Sequence, residues 1–186
     1  MVHPAIALLL AGVLIIVVCI LLWPRTGLVP LALHALRSGQ RENIEDALKH
    51  LYDCEYRGVL GSIQSIAGSL ECSTSKVAKL VERLETMGLV RTEQAGLRLT
   101  PQGRSYALRI VRIHRLWETF LAERTGFEEA EWHFQADRRE HATSEAQLRQ
   151  LIRTTGNPRF DPHGDPIPTE HGEVPARRGQ PLSDCE

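Results

Sequence analysis

The sequence lacks an excess of charge of either sign, and this excludes two classes of protein. Its 186 residues carry 22 Lys and Arg against 23 Asp and Glu, a formal net charge of -1. A globally basic nucleic-acid coat protein and a strongly acidic tail protein are therefore both excluded. With 42% hydrophobic and 24% charged residues, the composition is typical of a folded protein.

Cysteine is also scarce. The four thiols lie far apart and form no CxxC pair: Cys19, Cys54, Cys72 and Cys185. A zinc ribbon needs closely spaced cysteines and a small disulfide framework needs more of them. The pattern therefore argues against both and indicates a reducing compartment.

The first segment has no charged residue at all. Residues 4–23 read PAIALLLAGVLIIVVCILLW, and about 20 apolar residues span the roughly 30 Å hydrocarbon core of a bilayer. No positive region precedes them, as a cleavable signal peptide would require, whereas several arginines follow. The segment predicts a transmembrane helix at 1–24 and a juxtamembrane linker at 25–41. It also predicts a single-pass protein of the inner (plasma) membrane, with its C-terminal domains in the cytoplasm.

Three helical patterns follow, at residues 43–56, 62–70 and 73–88. A helix-turn-helix has this order of elements: a helix, a short helix, a tight turn and a longer helix. Ser73 is a good N-cap for the third helix. The runs LVRTEQ and LRLTPQG then indicate two short strands of a wing. We therefore predict a winged helix-turn-helix domain at 42–104.

The outer face of the third helix and the wing predict double-stranded DNA binding. Helix N-terminal residues reach base edges in the major groove, while hydroxyls and cations bind phosphate. Basic stripes are often only solvated surface, so a small three-helix bundle or a winged helix that binds protein also fits the pattern. The candidate DNA-binding residues are Ser73, Thr74, Ser75, Lys76, Lys79, Arg83 and Arg98.

Histidines and carboxylates share helix faces in the next predicted domain, at 105–170. Imidazole nitrogens and carboxylate oxygens at such spacings can converge on one divalent ion. By itself such a stripe is more often solvent-facing charge, since ion pairs are common on helices. The residues are His114 and Glu118, four apart, and then His133, Asp137, Glu140 and His141, at i, i+4, i+7 and i+8.

Several motifs in a fixed order make the pattern more specific. They are SIAGSL followed by STSKVAKLVERLETMGLV, the LTPQGR turn, VRIHRLWETFL, the spacing of His133, Asp137, Glu140 and His141, and DPHGDPIP near the end. In these motifs the chain, from about 42 to 169, resembles the metal-dependent repressors of the diphtheria toxin repressor and manganese transport regulator family. The resemblance implies a mainly α fold in which an all-helical metal-binding and dimerisation domain follows the winged helix. It also implies a homodimer, a palindromic operator, and Mn²⁺ or Fe²⁺ as corepressor.

The resemblance further implies roles for individual residues. Asp46, on the first helix of the DNA-binding domain, matches the metal ligand that this domain contributes. The primary ligands of the second domain match Asp137, Glu140 and His141. The ancillary site of iron-type members matches His114, Glu118 and His133. DNA-facing positions match Ser75, Lys76 and Lys79.

The chain departs from the family pattern in three places. Iron-type members have Met and Cys where this chain has Asp46 and Asp137, so oxygen replaces sulfur and favours Mn²⁺ or Fe²⁺ over thiophilic metals. Manganese-type members have a glutamate where this chain has Lys49, a cation that opposes a second metal and is a candidate partner of Asp46. The chain also ends at PLSDCE, about where many relatives begin an SH3-like domain that adds ancillary ligands. We therefore expect a weakened ancillary site, and a flexible tail at 171–186.

These features predict a membrane-anchored regulator and not an enzyme. A metal that binds both domains would set the separation of two recognition helices against half-sites about one turn of DNA apart. A metal-dependent hydrolase would need an open coordination position and a substrate cleft, and no nucleophile or general-base motif stands out. The more serious alternative is a membrane-bound metal-sensing accessory protein of a metal transporter, which uses the winged helix for protein contacts.

Overall fold

The structure, a computed structural model, describes residues 12–13 and 28–176, with side chains from residue 38 onward and at Gly12 and Val13. It divides into two units, Met1–Glu42 and Asn43–Glu186. The fold and the candidate site lie within the second unit, so the distances reported below are internal to it.

The first half of the second unit is a winged helix-turn-helix, as predicted. The elements are α1 (Leu28–Tyr56), α2 (Ile63–Ser69), α3 (Thr74–Thr86), β1 (Val90–Glu93) and β2 (Gly96–Leu99). The strands pair antiparallel to form the wing. The side chain of Ser62 caps α2, and that of Ser73 caps α3 by accepting a hydrogen bond from the backbone N–H of Lys76.

Helix α1 begins at Leu28, well before the start that its apolar stripe indicated. Pro30 falls in the first turn, where a missing N–H costs no intrahelical hydrogen bond. Part of the predicted juxtamembrane linker is therefore helical.

Three further helices complete the unit: α4 (Pro101–Arg124), α5 (Glu129–Glu140) and α6 (Glu145–Thr155). The residues from about 128 to 152 read as one helical pattern in the sequence. Helices α5 and α6 are separate because Ser144 forms a capping box with Gln147, which starts a new helix.

Helix α4 joins two hydrophobic cores. Its first half packs with α1, α2, α3 and the wing, where the buried residues include Leu48, Leu51 and Leu84. Its second half packs with α6 in a smaller core that contains Leu116 and Leu151. Because a single helix passes through both cores, its side chains have fixed positions relative to the winged helix.

A hydrogen bond and a close backbone contact join the start of α4 to the residues that follow α3, the recognition helix. The hydroxyl of Thr100 donates a hydrogen bond to the carbonyl of Gly88 at 2.7 Å. At Gly103 the backbones approach so closely that a Cβ atom would lie 1.9 Å from the carbonyl oxygen of Leu89. Only glycine fits this contact, which places α4 directly behind the wing.

The DPHGDPIP motif forms an exposed turn at residues 162–164, flanked by Asp161 and residues 166–168, which are buried against the body of the unit. The carboxylate of Asp161 accepts hydrogen bonds from the backbone N–H groups of His163 and Asp165, both at 2.9 Å. Arg112 of α4 donates to the carbonyl of Pro168 at 2.6 Å, and Arg115 donates to that of Pro166. The motif therefore satisfies two arginines of α4 with backbone carbonyls.

Within residues 12–13 and 28–176, no helix combines the length and the apolar character that crossing a membrane requires. The apolar segment at 4–23, which predicts a transmembrane helix, lies outside the described residues apart from Gly12 and Val13. Helix α1 is long enough, but it carries charged residues from Arg37 to Glu55 and is excluded by its composition.

Candidate metal centre

Polar residues from α1, α4 and α5 lie close together in one region. Helix α1 contributes Asp46, α4 contributes His114 and Glu118, and α5 with the residue after it contributes the rest: His133, Asp137, Glu140 and His141. All seven metal ligands that the sequence indicated lie in this region. They form three overlapping groups, and within each group one ligand atom per residue lies within 4.8 Å of the others.

The first group joins α4 to α5 and contains His114, Glu118 and His133. His114 Nε2 lies 3.0 Å from Glu118 Oε1, and His133 Nδ1 lies 3.1 Å from the same oxygen. His114 and Glu118 are buried, whereas the side chain of His133 is 70% exposed. These are the residues that the family resemblance assigned to an ancillary site, and one side of the group is open to solvent.

The electrostatics of this group favour an ionised carboxylate. Burial by itself raises the pKa of Glu118, but hydrogen bonds from His114 and His133 outweigh it and lower the pKa to about 2. For His114, burial lowers the pKa, but hydrogen bonds with Asp137, Glu118 and Glu140 raise it to about 10. Without metal, this histidine is therefore protonated at neutral pH.

The second group spans the winged helix and the helical domain. It contains Asp46, Glu140 and His141, with His141 Nε2 lying 3.1 Å from Asp46 Oδ1 and 3.4 Å from Glu140 Oε1. Burial lowers the pKa of His141, but hydrogen bonds with Asp46 and Glu45 raise it to about 10. This group connects the two domains through atoms suited to a divalent ion.

Sequence reasoning missed the residue that orients His141. Glu45 is buried, and its Oε2 lies 2.6 Å from His141 Nδ1. Tyr106 of α4 donates a hydrogen bond to the other oxygen of Glu45 at 2.7 Å. A carboxylate on the second ring nitrogen fixes the orientation of a ligating histidine. The available signal was position, since an acidic residue directly follows the buried Ile44 and precedes Asp46.

The third group contains His114, Asp137 and Glu140, and it includes a cation of the chain. His114 Nδ1 lies 2.6 Å from Glu140 Oε2 and 3.2 Å from Asp137 Oδ1. The ammonium of Lys49 donates to Asp137 Oδ1 at 2.9 Å and to Glu140 Oε1 at 2.7 Å. Lys49 thus contacts Asp137 and Glu140, whereas the sequence made Asp46 its candidate partner. Asp137 consequently lies apart from the group that contains Asp46.

The carboxylates around Lys49 favour its charged form. Burial lowers the pKa of Lys49, but the charges of Glu140 and Asp137 outweigh it, so that the pKa lies above its usual value. Burial raises the pKa of Asp137, but a hydrogen bond with His114 and the charge of Lys49 lower it well below its usual range.

The donor set of all three groups is nitrogen and oxygen, with no sulfur. Imidazole with several carboxylates suits Mn²⁺ and Fe²⁺ among the divalent transition metals, whereas thiolates select softer ions. The described thiols lie elsewhere, and Cys54 contacts His50 at 3.5 Å instead. The residues present therefore fit a hard or borderline divalent ion.

The predicted DNA-binding residues lie at the start of α3, along α3 and on the wing. All seven are exposed. The hydroxyl of Ser73 is engaged as the cap of α3, and the guanidinium of Arg98 pairs with Glu93 at 2.9 Å. Exposure at the N-terminal half of a recognition helix permits entry into a major groove, so the geometry is compatible with the predicted role.

Comparison with known proteins agrees with this geometry. Residues 100–169 match the family described as "Iron dependent repressor, metal binding and dimerisation domain". The iron-dependent repressor IdeR of Mycobacterium leprae is 39% identical over 128 residues, which are 68% of this chain and 56% of that protein. A solved manganese-dependent transcriptional repressor complex with manganese is 33% identical, with a TM-score of 0.69, covering 77% of this chain and 66% of the other. The chain belongs to the diphtheria toxin repressor and manganese transport regulator family.

Within the family, the chain spans little more than half the length of the curated repressor it matches. A different kind of protein also shares the sequence pattern. A probable metal transport system membrane protein of Chlamydia pneumoniae is 42% identical over 94 residues, which are 50% of this chain and 21% of that protein.

The predicted localisation requires correction. The apolar segment at 4–23 predicted a single-pass protein of the inner membrane, with the membrane as a partner. The proteins to which the chain is similar over most of its described length are named as transcriptional repressors and not as membrane-anchored proteins. The membrane localisation is therefore wrong. That prediction rested on the apolar length of the segment and on the charges beside it, both of which are local features of the sequence.

Proposed function

We propose that this protein is a metal-dependent, DNA-binding transcriptional repressor of metal-ion homeostasis genes, with Mn²⁺ or Fe²⁺ as corepressor. The observation that carries the proposal is the group formed by Asp46 of the winged helix with Glu140 and His141 of the helical domain. An ion that these residues share would bind the two domains together. The relatives named for iron- and manganese-dependent repression support the same proposal.

The proposed mechanism is a shift in population. Free energy of metal binding that is available only when both domains contribute ligands favours the arrangement in which they meet. In a homodimer this arrangement fixes the separation of two α3 helices, which must match half-sites about one turn of DNA apart in a palindromic operator. The match of residues 100–169 to a dimerisation domain supports the dimer.

Each group of residues has a proposed role in binding metal or DNA. Asp46, Glu140 and His141 would hold the ion that joins the domains, oriented by Glu45. His114, Glu118 and His133 would hold a second ion, with water completing its coordination at the exposed side. The divalent ion would supply the positive charge that keeps these carboxylates together. DNA would be contacted by Ser73, Thr74, Ser75, Lys76, Lys79, Arg83 and Arg98, and the domain boundaries proposed from sequence are 42–104 and 105–170.

Selection of random double-stranded DNA against the purified protein tests the proposal. With Mn²⁺ or Fe²⁺ present we expect enrichment of a palindrome whose half-sites lie about one helical turn apart. Without metal we expect affinity for that DNA to fall by about 10- to 100-fold, the usual range of coupling between two sites. Equal affinity with and without metal would contradict the mechanism.

Metal binding is also expected to depend on pH. His114 and His141 have pKa values of about 10 without metal, so both are protonated at pH 7 and each must lose a proton before it ligates. Metal affinity therefore rises with pH, by about tenfold per pH unit for each histidine proton that the metal displaces. The rise ends when the pH exceeds the pKa of that histidine. Mn²⁺ titrations between roughly pH 6 and pH 8 measure this slope. A flat profile would show that these histidines are not ligands.

A second function has one specific observation in its favour. Half of this chain is similar to a segment of a probable metal transport system membrane protein. The same fold would then serve as a metal-sensing accessory module of a transporter, with the winged helix contacting protein instead of DNA. The DNA selection separates the two, because this candidate expects no preferred DNA sequence and expects a metal transporter to co-purify.

A further inference from the structure

The group formed by His114, Asp137 and Glu140 differs from the other two because it already contains a cation. The ammonium of Lys49 lies within 3 Å of both carboxylates, 2.9 Å from Asp137 Oδ1 and 2.7 Å from Glu140 Oε1. Amine-to-carboxylate distances of this size are those of charge-assisted hydrogen bonds. An ion bound among these three residues would have to displace the ammonium.

The contact of Lys49 with Asp137 and Glu140 is compatible with a metal ion in the group that contains Asp46, because of where Lys49 lies on α1. Asp46 lies one helical turn earlier on the same face and contacts His141 at 3.1 Å. Helix α1 therefore presents a carboxylate to one group and an ammonium to the next. Glu140 belongs to both groups, with Oε1 facing Lys49 and Oε2 facing His114.

The charge of the region is consistent with a fixed cation. Five carboxylates contact the histidines of this region, on Glu45, Asp46, Glu118, Asp137 and Glu140. Among the described residues, Lys49 is the lysine whose ammonium contacts them. With neutral histidines the sum is four negative charges, which two divalent ions neutralise. A third ion beside the ammonium would bring the sum to two buried positive charges without a partner, which is costly.

We propose that Lys49 is a built-in cation that takes the place of a metal ion among His114, Asp137 and Glu140. The inference rests on the proposed metal binding and deepens it. It limits the chain to two divalent ions, one at Asp46, Glu140 and His141 and one at His114, Glu118 and His133. It also gives the winged helix a contact with α5 that persists when metal is absent.

Removing the ammonium has opposite effects on stability and on metal binding. In Lys49→Gln the buried Glu140 loses a positive partner, so without metal the midpoint of thermal unfolding falls by about 5 °C. A further ion then binds the carboxylates of Asp137 and Glu140, because the ring of His114 would hold the ion beside Glu118 through Nε2 and keep its proton on Nδ1. In saturating Mn²⁺ the midpoint of the variant therefore equals that of the wild type in saturating Mn²⁺. If Lys49 had only a structural role, Lys49→Gln would lower the unfolding midpoint by the same amount with and without Mn²⁺.

The experiment is equilibrium dialysis of the whole chain against Mn²⁺ alone, with metal and protein both quantified, alongside thermal unfolding with and without Mn²⁺. We expect two ions per chain in the wild type and three in Lys49→Gln. Lys49→Glu, which replaces the ammonium with another carboxylate, is also expected to bind three and guards against a misfolded first variant. Arg153→Gln removes an exposed cation of α6 and is the matched control, with two ions expected.

Each outcome separates this inference from the proposed function. Two ions in the wild type and in both Lys49 variants would overturn the inference and leave the proposed function standing, as would three ions in the wild type. A wild type that binds neither Mn²⁺ nor Fe²⁺ would overturn the proposed function and the inference with it.

Discussion

Replacing His141 with alanine is expected to abolish the stimulation of operator binding by metal. His141 is the one histidine of the group that spans the two domains, and its ring contacts Asp46 on one side and Glu45 on the other. Without it, an ion in this group would keep only carboxylates and would lose its nitrogen ligand. Operator affinity in saturating Mn²⁺ should fall by about 100-fold, to the level of the metal-free protein.

The measurement is fluorescence anisotropy with labelled operator DNA, with and without Mn²⁺. His171→Ala is the matched control, because His171 is 78% exposed and belongs to none of the three groups. The control should keep the full response to metal. Metal-free affinity of His141→Ala should equal that of the wild type, since the recognition helix is untouched. A variant that still responds tenfold or more to Mn²⁺ would contradict the assignment of His141.

Replacing Lys76 and Lys79 together with alanine is expected to weaken DNA binding at every sequence. Both side chains are exposed on α3, and Lys49 is the only other lysine in the chain. Each phosphate contact releases counterions, so the double variant should lose about 10- to 100-fold in affinity. The slope of log affinity against log salt should become shallower by about two per protomer.

A salt titration of operator binding gives this slope directly. Arg153→Ala, on α6, removes an exposed cation away from the recognition helix and should leave both affinity and slope unchanged. Mn²⁺ stoichiometry of the double variant should also equal that of the wild type, which separates a lost DNA contact from a lost metal. An unchanged slope would indicate that α3 faces something other than phosphate.

Local patterns were sufficient for most of the helices. Ser73 and Thr100 cap the helices that their positions indicated, since a short polar side chain at a helix start satisfies an otherwise unpaired N–H group. The pattern did not separate α5 from α6, because the capping box of Ser144 with Gln147 interrupts a stretch that otherwise reads as helix. The apolar run at 4–23 lies outside the described residues apart from Gly12 and Val13, so a transmembrane helix there stays a prediction.

The candidate ligand residues were also accessible from sequence, and the resemblance anticipated the group of His114, Glu118 and His133 but not the separation of Asp137 from Asp46. Spacings of four and seven residues place His133, Asp137 and Glu140 on one face of α5, and family resemblance added Asp46. Spacing says nothing about which of these meets α1. In the structure Asp46 meets His141, and Asp137 meets Lys49.

The amino-acid sequence by itself determined a chain of nearly balanced charge without paired cysteines, a winged helix-turn-helix, and a set of candidate nitrogen and oxygen ligands. These depend on composition, periodicity and capping, which act over a few residues. Only the tertiary structure decided that Glu45 contacts His141 and that Lys49 lies between Asp137 and Glu140. Those contacts join residues 88 to 96 positions apart. They depend on how α1 packs beside α5, which no local pattern encodes.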